Sequence, residues 1–171
     1  AFGRPTRRRP NIRSRDAAVA VISAIRARSA TFPRVVPAED HPQRSVHDRI
    51  GAAPLATLAE SLYRRIDADP RIRSMFSADL AADSDAVRDM REFLTQFFGG
   101  PADYSARKGH PRLRARHMRF PIDQAARDAW LSHALGALDD TRAIHQVDDV
   151  TAREIAAYFH HASAFMVNHS G

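Results

Sequence analysis

The densest set of chemistry-bearing side chains lies in GHPRLRARHMRFP, Gly109 to Pro121, where two histidines stand seven positions apart among four arginines. A metal site, a basic surface and a holder for a larger group all draw on these residue types. If Pro111 takes the first turn of a short helix, His110 and His117 fall near one face but about 10.5 Å apart along its axis. They cannot share one ion from a continuous helix, because helical zinc pairs use spacings such as i,i+4. His160-His161 fails the same test, since adjacent helical residues diverge by about 100°. There is no HExxH, and the absence of cysteine excludes disulfides, thiolate metal sites, iron–sulfur clusters and cysteine nucleophiles.

A single axial histidine is different chemistry, because a macrocycle supplies four equatorial ligands and needs one more from the protein. His117 sits near a helix end, where an unpaired carbonyl can accept its second ring N–H and fix the tautomer that ligates iron. Leu113, one turn earlier, is an apolar support on the same face, and Arg112, Arg114 and Arg116 are cations suited to two propionates. On these residues alone a plainer reading outweighs that one: a half-buried histidine at a helix end, beside a solvated arginine face.

The elements that would position these groups are helical from about residue 45. Leu55, Leu58, Leu62 and Ile66 follow the three-to-four spacing of an amphipathic helix, which Asp69-Pro70 should end. Ser84 can cap a second helix, whose Val87, Met90, Phe93, Leu94, Phe97 and Phe98 lead to the stop Gly99-Gly100-Pro101. A third, capped by Asp123, carries Ala126, Trp130, Ala134 and Leu138 on its inner face. A fourth runs from about Val150 through Ile155, Phe159 and Ala162 to Met166. Shorter pieces are expected between Phe76 and Ser84 and between Tyr104 and His117. The fold class is all-α.

Charge divides unevenly along the chain. The net +6 resolves into +8 over residues 1–34, where nine arginines face the single acid Asp16, and −2 over the remainder. Nucleic-acid binding is therefore not expected of the folded part. Residues 1–44 read as a basic, disordered or weakly structured extension, and residues 45–171 as one domain. The extension reads as a bacterial tail or upstream segment, with an organelle transit peptide as the alternative. No apolar run approaches the roughly 20 residues of a membrane span, so a cytoplasmic protein is expected.

Read together, GGPADYSARKGHPRLRARH (Gly99 to His117) and RDAWL (Arg127 to Leu131) closely resemble the group II truncated haemoglobins, the short two-over-two helical globins. The likeness runs from roughly Ser45 to Asn168. It implies haem b with His117 as proximal iron ligand, Trp130 lining the distal side and Tyr63 as main hydrogen-bond donor to bound dioxygen. Phe76 falls on the aromatic position against the haem face, Ala86 at the gate over the distal site, and Met90 one turn deeper. His110 falls on a residue that shapes the loop before the proximal helix. Tyr104 and Arg114 stand in the motif at cofactor-contacting positions, and Phe93, Leu94 and Phe120 read equally as core or as haem wall. Three positions depart from the pattern: Phe76 replaces a tyrosine, Met90 a leucine or glutamine, and Asp89 an arginine that contacts a propionate, with Arg88 its candidate substitute.

The resemblance implies a monomer or homodimer that binds dioxygen, nitric oxide and other diatomics at pentacoordinate iron. Redox chemistry, nitric oxide detoxification or sensing is expected over bulk transport, with a reductase as partner. Nitric oxide dioxygenase or peroxidase-like turnover stays open. The rivals are a haem-free all-helical interaction module and a gas sensor whose basic tail contacts nucleic acid or a membrane.

Overall fold

The computed structural model describes residues 44–170. The expected basic extension lies outside the described residues except for Arg44. Among the described residues all regular structure is helical: α1 (Val46–Ile50), α2 (Ala52–Asp67), a 3₁₀ turn (Arg73–Met75), α3 (Asp85–Phe97), α4 (Asp103–Lys108), α5 (Leu113–His117), α6 (Gln124–His145) and α7 (Asp149–Met166). No helix among them is long and apolar enough to cross a membrane.

Side-chain caps set most helix starts. The hydroxyl of Ser45 accepts from Asp48 N–H while the Asp48 carboxylate accepts from Ser45 N–H, a reciprocal box that opens α1. Gly51 at φ 74° then separates α1 from α2, a break inside the stretch that reads as helical from residue 45. Ser84 accepts from Val87 N–H, Asp123 from Ala126 N–H, and Asp148 from Val150 and Thr151 N–H.

The stripe of α2 is the centre of the core, with Leu55, Leu58, Leu62 and Ile66 all 0% exposed. Burying each such side chain is worth roughly 1.5–3 kcal/mol relative to leaving it in water. Helix α2 packs against both α3 and α6, and α6 packs against α7, in the two-over-two arrangement. At the α2–α6 contact, Arg65 donates to both oxygens of Asp140, at 3.0 and 2.8 Å, and Ser61 donates to the same carboxylate.

The short pieces differ from expectation. No helix lies between Phe76 and Ser84: the 3₁₀ turn is upstream, at Arg73–Met75, and the segment itself holds only a turn in which Ser84 N–H donates to the Ala81 carbonyl at 2.9 Å. The Arg73 guanidinium donates to the carbonyls of Ser77 and Ala78, so a side chain replaces the helical ladder over that segment. Pro111 is not in the first turn of α5: Arg112 takes φ 44° and the helix begins at Leu113, which leaves His110 outside it.

Candidate functional site

A cavity of ≈ 390 Å³ opens between α2, α3, α5, α6 and α7, within the range of ligand pockets. Ten of the residues expected to contact a cofactor line it: Tyr63, Phe76, Ala86, Met90, Phe93, Leu94, Tyr104, His117, Phe120 and Trp130. Leu113 and Arg116 line it too.

Helix α5 places His117 at its last position. The ring Nδ1 lies 2.7 Å from the Leu113 carbonyl oxygen. A carbonyl can only accept, so Nδ1 carries the proton and Nε2 of the neutral ring keeps its lone pair. Leu113 thus contributes a backbone acceptor as well as an apolar side chain. Among the described residues no three His, Asp or Glu side chains converge, so His117 is an isolated imidazole on a mainly apolar wall. The segment after α7 holds the end of α5: Asn168 donates to the His117 carbonyl oxygen at 3.3 Å, while its Oδ1 accepts from Ile122 N–H at 3.1 Å.

Tyr63 projects from α2 and meets Phe76 edge-on, with ring centroids 6.0 Å apart. Burial, with smaller contributions from the Asp89 and Tyr104 charges, pushes its phenol pKa up to about 12. The phenol therefore keeps its proton at neutral pH and remains a donor. Tyr104 comes from α4, which α3 clamps: Arg107 donates to Asp89 and Glu92, Lys108 pairs with Asp89, and Gln96 bonds Ser105. Burial works to raise the Asp89 carboxyl, but the Lys108 and Arg107 hydrogen bonds outweigh it and hold it below the usual carboxylate range. The Asp89 position therefore faces the cavity as an anion already matched by cations.

Two of the expected contacts lie elsewhere. His110 is exposed and accepts the backbone N–H of Arg112 on its Nδ1 at 3.1 Å, so it shapes the loop before α5 without lining the cavity. Arg114 does not line it either: its guanidinium donates to the Phe165 carbonyl and lies over the Phe165 ring, 5.1 Å from the centroid. Of Arg112, Arg114 and Arg116, only Arg116 reaches the cavity; Arg119, which was not expected, joins it. Arg88 pairs with Asp85 and approaches Glu92 instead of lining the cavity.

The sequence reading also missed Tyr158 and Arg127. Tyr158 lies one residue off the apolar stripe of α7, yet its ring stacks on Phe97 at 4.0 Å and lines the cavity, and burial raises its phenol pKa. Arg127 lines the cavity from α6 with its guanidinium on Ser163 at 3.2 Å. Nothing in the periodicity marks either one, since both depend on how α6 and α7 meet α3.

An apolar cavity with a lone imidazole on its wall, phenols that stay protonated and three guanidiniums at its lining, those of Arg116, Arg119 and Arg127, fits a flat apolar macrocycle with carboxylate substituents. Comparison with known proteins agrees. The profile of the bacterial-like globin family matches residues 45–165. The group 2 truncated hemoglobin YjbI of Bacillus subtilis (strain 168) is 40% identical over 93 residues, which are 54% of this chain and 68% of that one. Two-on-two hemoglobin-3 of Arabidopsis thaliana is 34% identical over 127 residues, covering 73% of this chain and 70% of that one. Among solved structures, the hemoglobin of Chloroflexus aurantiacus superposes with a TM-score of 0.67 at 41% identity, covering 74% of this chain and 99% of its own. The group II truncated hemoglobin of Bacillus anthracis superposes with a TM-score of 0.68 at 30% identity, covering 77% and 96%. The chain belongs to the bacterial-like globin family and, within it, to the group II truncated haemoglobins, haem proteins that bind diatomic gases.

Proposed function

We propose that the cavity holds haem b with Nε2 of His117 as the proximal ligand, and that the protein binds dioxygen and nitric oxide there for redox chemistry, nitric oxide detoxification or sensing. One observation carries this reading: the 2.7 Å contact between His117 Nδ1 and the Leu113 carbonyl, which selects the tautomer of the neutral ring whose Nε2 lone pair is available to a metal and sets the ring orientation. When bound, the haem supplies an iron that takes a diatomic ligand and changes oxidation state by one electron.

The chain's own residues supply the rest. Tyr63, kept protonated by burial, and the indole N–H of Trp130 would be the hydrogen-bond donors to a diatomic ligand held in the cavity. Phe76, Met90, Phe93 and Leu94 exclude water, so such hydrogen bonds keep their strength. Of the three arginines lining the cavity, Arg127 pairs with Asp128, so Arg116 and Arg119 are the cations that would be available to the two haem carboxylates. Two strong donors imply slow ligand escape, which suits sensing or turnover with a second reactant better than bulk delivery. Stepwise turnover would need a reductase to restore the ferrous state.

The visible spectrum of protein purified from haem-supplied cells tests the assignment. A Soret band that is lost or shifted in His117→Ala is expected. A colourless wild type, or an unchanged band in His117→Ala, would sink it and restore the haem-free interaction module.

A further inference from the structure

Every described arginine on α1, α2, α3, α4 and α6, and both in the turn after α2, has a carboxylate partner. The segment around α5 breaks that rule, as does Arg153 of α7. Among the described residues, Arg112, Arg114, Arg116 and Arg119 have none, and the stretch from Tyr104 to Ile122 contains no acidic residue. Four like charges within eight positions repel one another, so they persist at some cost unless anions arrive from outside.

The haem reading accounts for only half of them. Arg116 and Arg119 line the cavity, whereas Arg112 and Arg114 do not. Arg114 instead lies over Phe165, which is 54% exposed. One helical turn after Arg114 comes Met118, 55% exposed. Unmatched guanidiniums around large exposed apolar side chains make the composition of a protein-binding surface, in which arginine, methionine and aromatics are enriched. A phosphate backbone would use the cations but leave Phe165 and Met118 without partners. Helix α5 also forms the wall of the cavity, so a partner seated here abuts whatever the cavity holds.

We propose that the face formed by Arg114, Met118 and Phe165, with the exposed Arg112 at the N-terminal end of the same short helix adding to its positive charge, docks a small acidic electron-carrier protein, a one-electron donor to the haem. This rests on the haem reading above. The carrier's flavin or iron–sulfur centre loses one electron, ferric haem iron gains it, and no bond is made or broken. Charge complementarity would speed the encounter, and the apolar pair would hold the complex.

Isothermal titration of the ferric, haem-loaded protein with oxidised flavodoxin, a small acidic flavin protein, tests the docking without relying on turnover. Binding is expected to weaken about tenfold between low and physiological salt, where screening shortens to roughly 8 Å. Arg112→Glu should weaken low-salt binding by about tenfold, whereas Arg153→Glu, another arginine without a carboxylate partner among the described residues, should leave it unchanged. Arg112→Glu with Arg114→Glu should do more; if that pair unfolds α5, Arg112→Glu alone carries the test. Stopped-flow reduction of the ferric haem by reduced flavodoxin should slow in parallel, with carbon monoxide binding to the ferrous protein unchanged. No flavodoxin binding, salt-independent binding, or equal effects of Arg112→Glu and Arg153→Glu overturn the proposal. Binding of short single-stranded DNA that is lost in Arg112→Glu, without flavodoxin binding, would make this a nucleic-acid face. A normal Soret band throughout separates failure of the docking face from failure of the haem assignment.

Discussion

Asn168 grips His117 from outside the helix that carries it: its side-chain amide donates to the His117 carbonyl at 3.3 Å, and its backbone N–H donates to the Ile122 carbonyl at 2.9 Å. Together with the pairing of Arg114 and the Phe165 carbonyl, this ties both ends of a five-residue helix to the end of α7 and the segment after it. An isolated helix of that length is unstable, so tertiary contacts must hold the imidazole in place.

Asn168→Asp removes the donor to His117 but keeps an acceptor for Ile122 N–H, and Asn168→Ala removes both. Haem loss should rise several-fold in Asn168→Asp and further in Asn168→Ala, measured as transfer to an excess of apomyoglobin. The iron–histidine stretching band of the ferrous protein should broaden or shift in the same order. Unchanged bands and rates in both variants would mean that Asn168 does not position His117.

Tyr63→Phe and Trp130→Phe should each speed dioxygen dissociation. A hydrogen bond to a partly charged acceptor is worth about 1.5–3 kcal/mol, or roughly 10- to 150-fold in rate at about 1.4 kcal/mol per decade. Flash photolysis or stopped-flow with a ligand competitor gives the rates. If neither variant exceeds the wild type by more than about twofold, neither side chain is a donor.

Acid should destabilise the fold through Asp69 and Asp140. Hydrogen bonds from Arg71 and His133 hold the Asp69 carboxyl well below its usual range, and those from Arg65 and Ser61 lower Asp140 to about 2. A carboxylate with a lower pKa folded than unfolded stabilises the native state above the unfolded value of 3.8. That contribution fades as pH falls toward the folded value. Urea denaturation should therefore show stability falling between about pH 4 and pH 2. Asp140→Asn should be less stable than wild type at neutral pH, with the difference shrinking across that window.

Gly100→Ala should destabilise the end of α3. A Cβ there would stand 2.7 Å from the His47 ring, 2.8 Å from Thr95 Cγ2 and 2.9 Å from the Thr95 carbonyl oxygen, and the last cannot rotate away. Overpacking of this kind costs about 1–3 kcal/mol, which thermal denaturation of the haem-loaded protein would resolve. Gly109→Ala has open space around the added methyl but a φ of 74°, so its penalty comes from the backbone alone.

The long helices were legible because their causes are local. Ser84, Asp123 and Asp148 offer an oxygen to the first free N–H groups of their helices, and Leu55, Leu58, Leu62 and Ile66 repeat at the helical period. The helix-end carbonyl expected to meet the His117 ring was legible for a related reason: it is one turn away on the same helix, at Leu113.

The lining of the cavity was decided at longer range. Arg114 and Arg116 are two residues apart, so α5 turns them to different sides, but only the packing of α7 puts Phe165 beside one and leaves the cavity to the other. Tyr158 and Arg127 enter the site in the same way, through helix crossings that no stretch of sequence contains. Sequence alone determined the long helices, the family likeness and the carbonyl within reach of the His117 ring, because capping, periodicity and hydrogen bonds one turn apart act between near neighbours. Tertiary structure decided which arginines face the cavity and which face solvent, because that depends on whether a distant chain segment offers each guanidinium a partner.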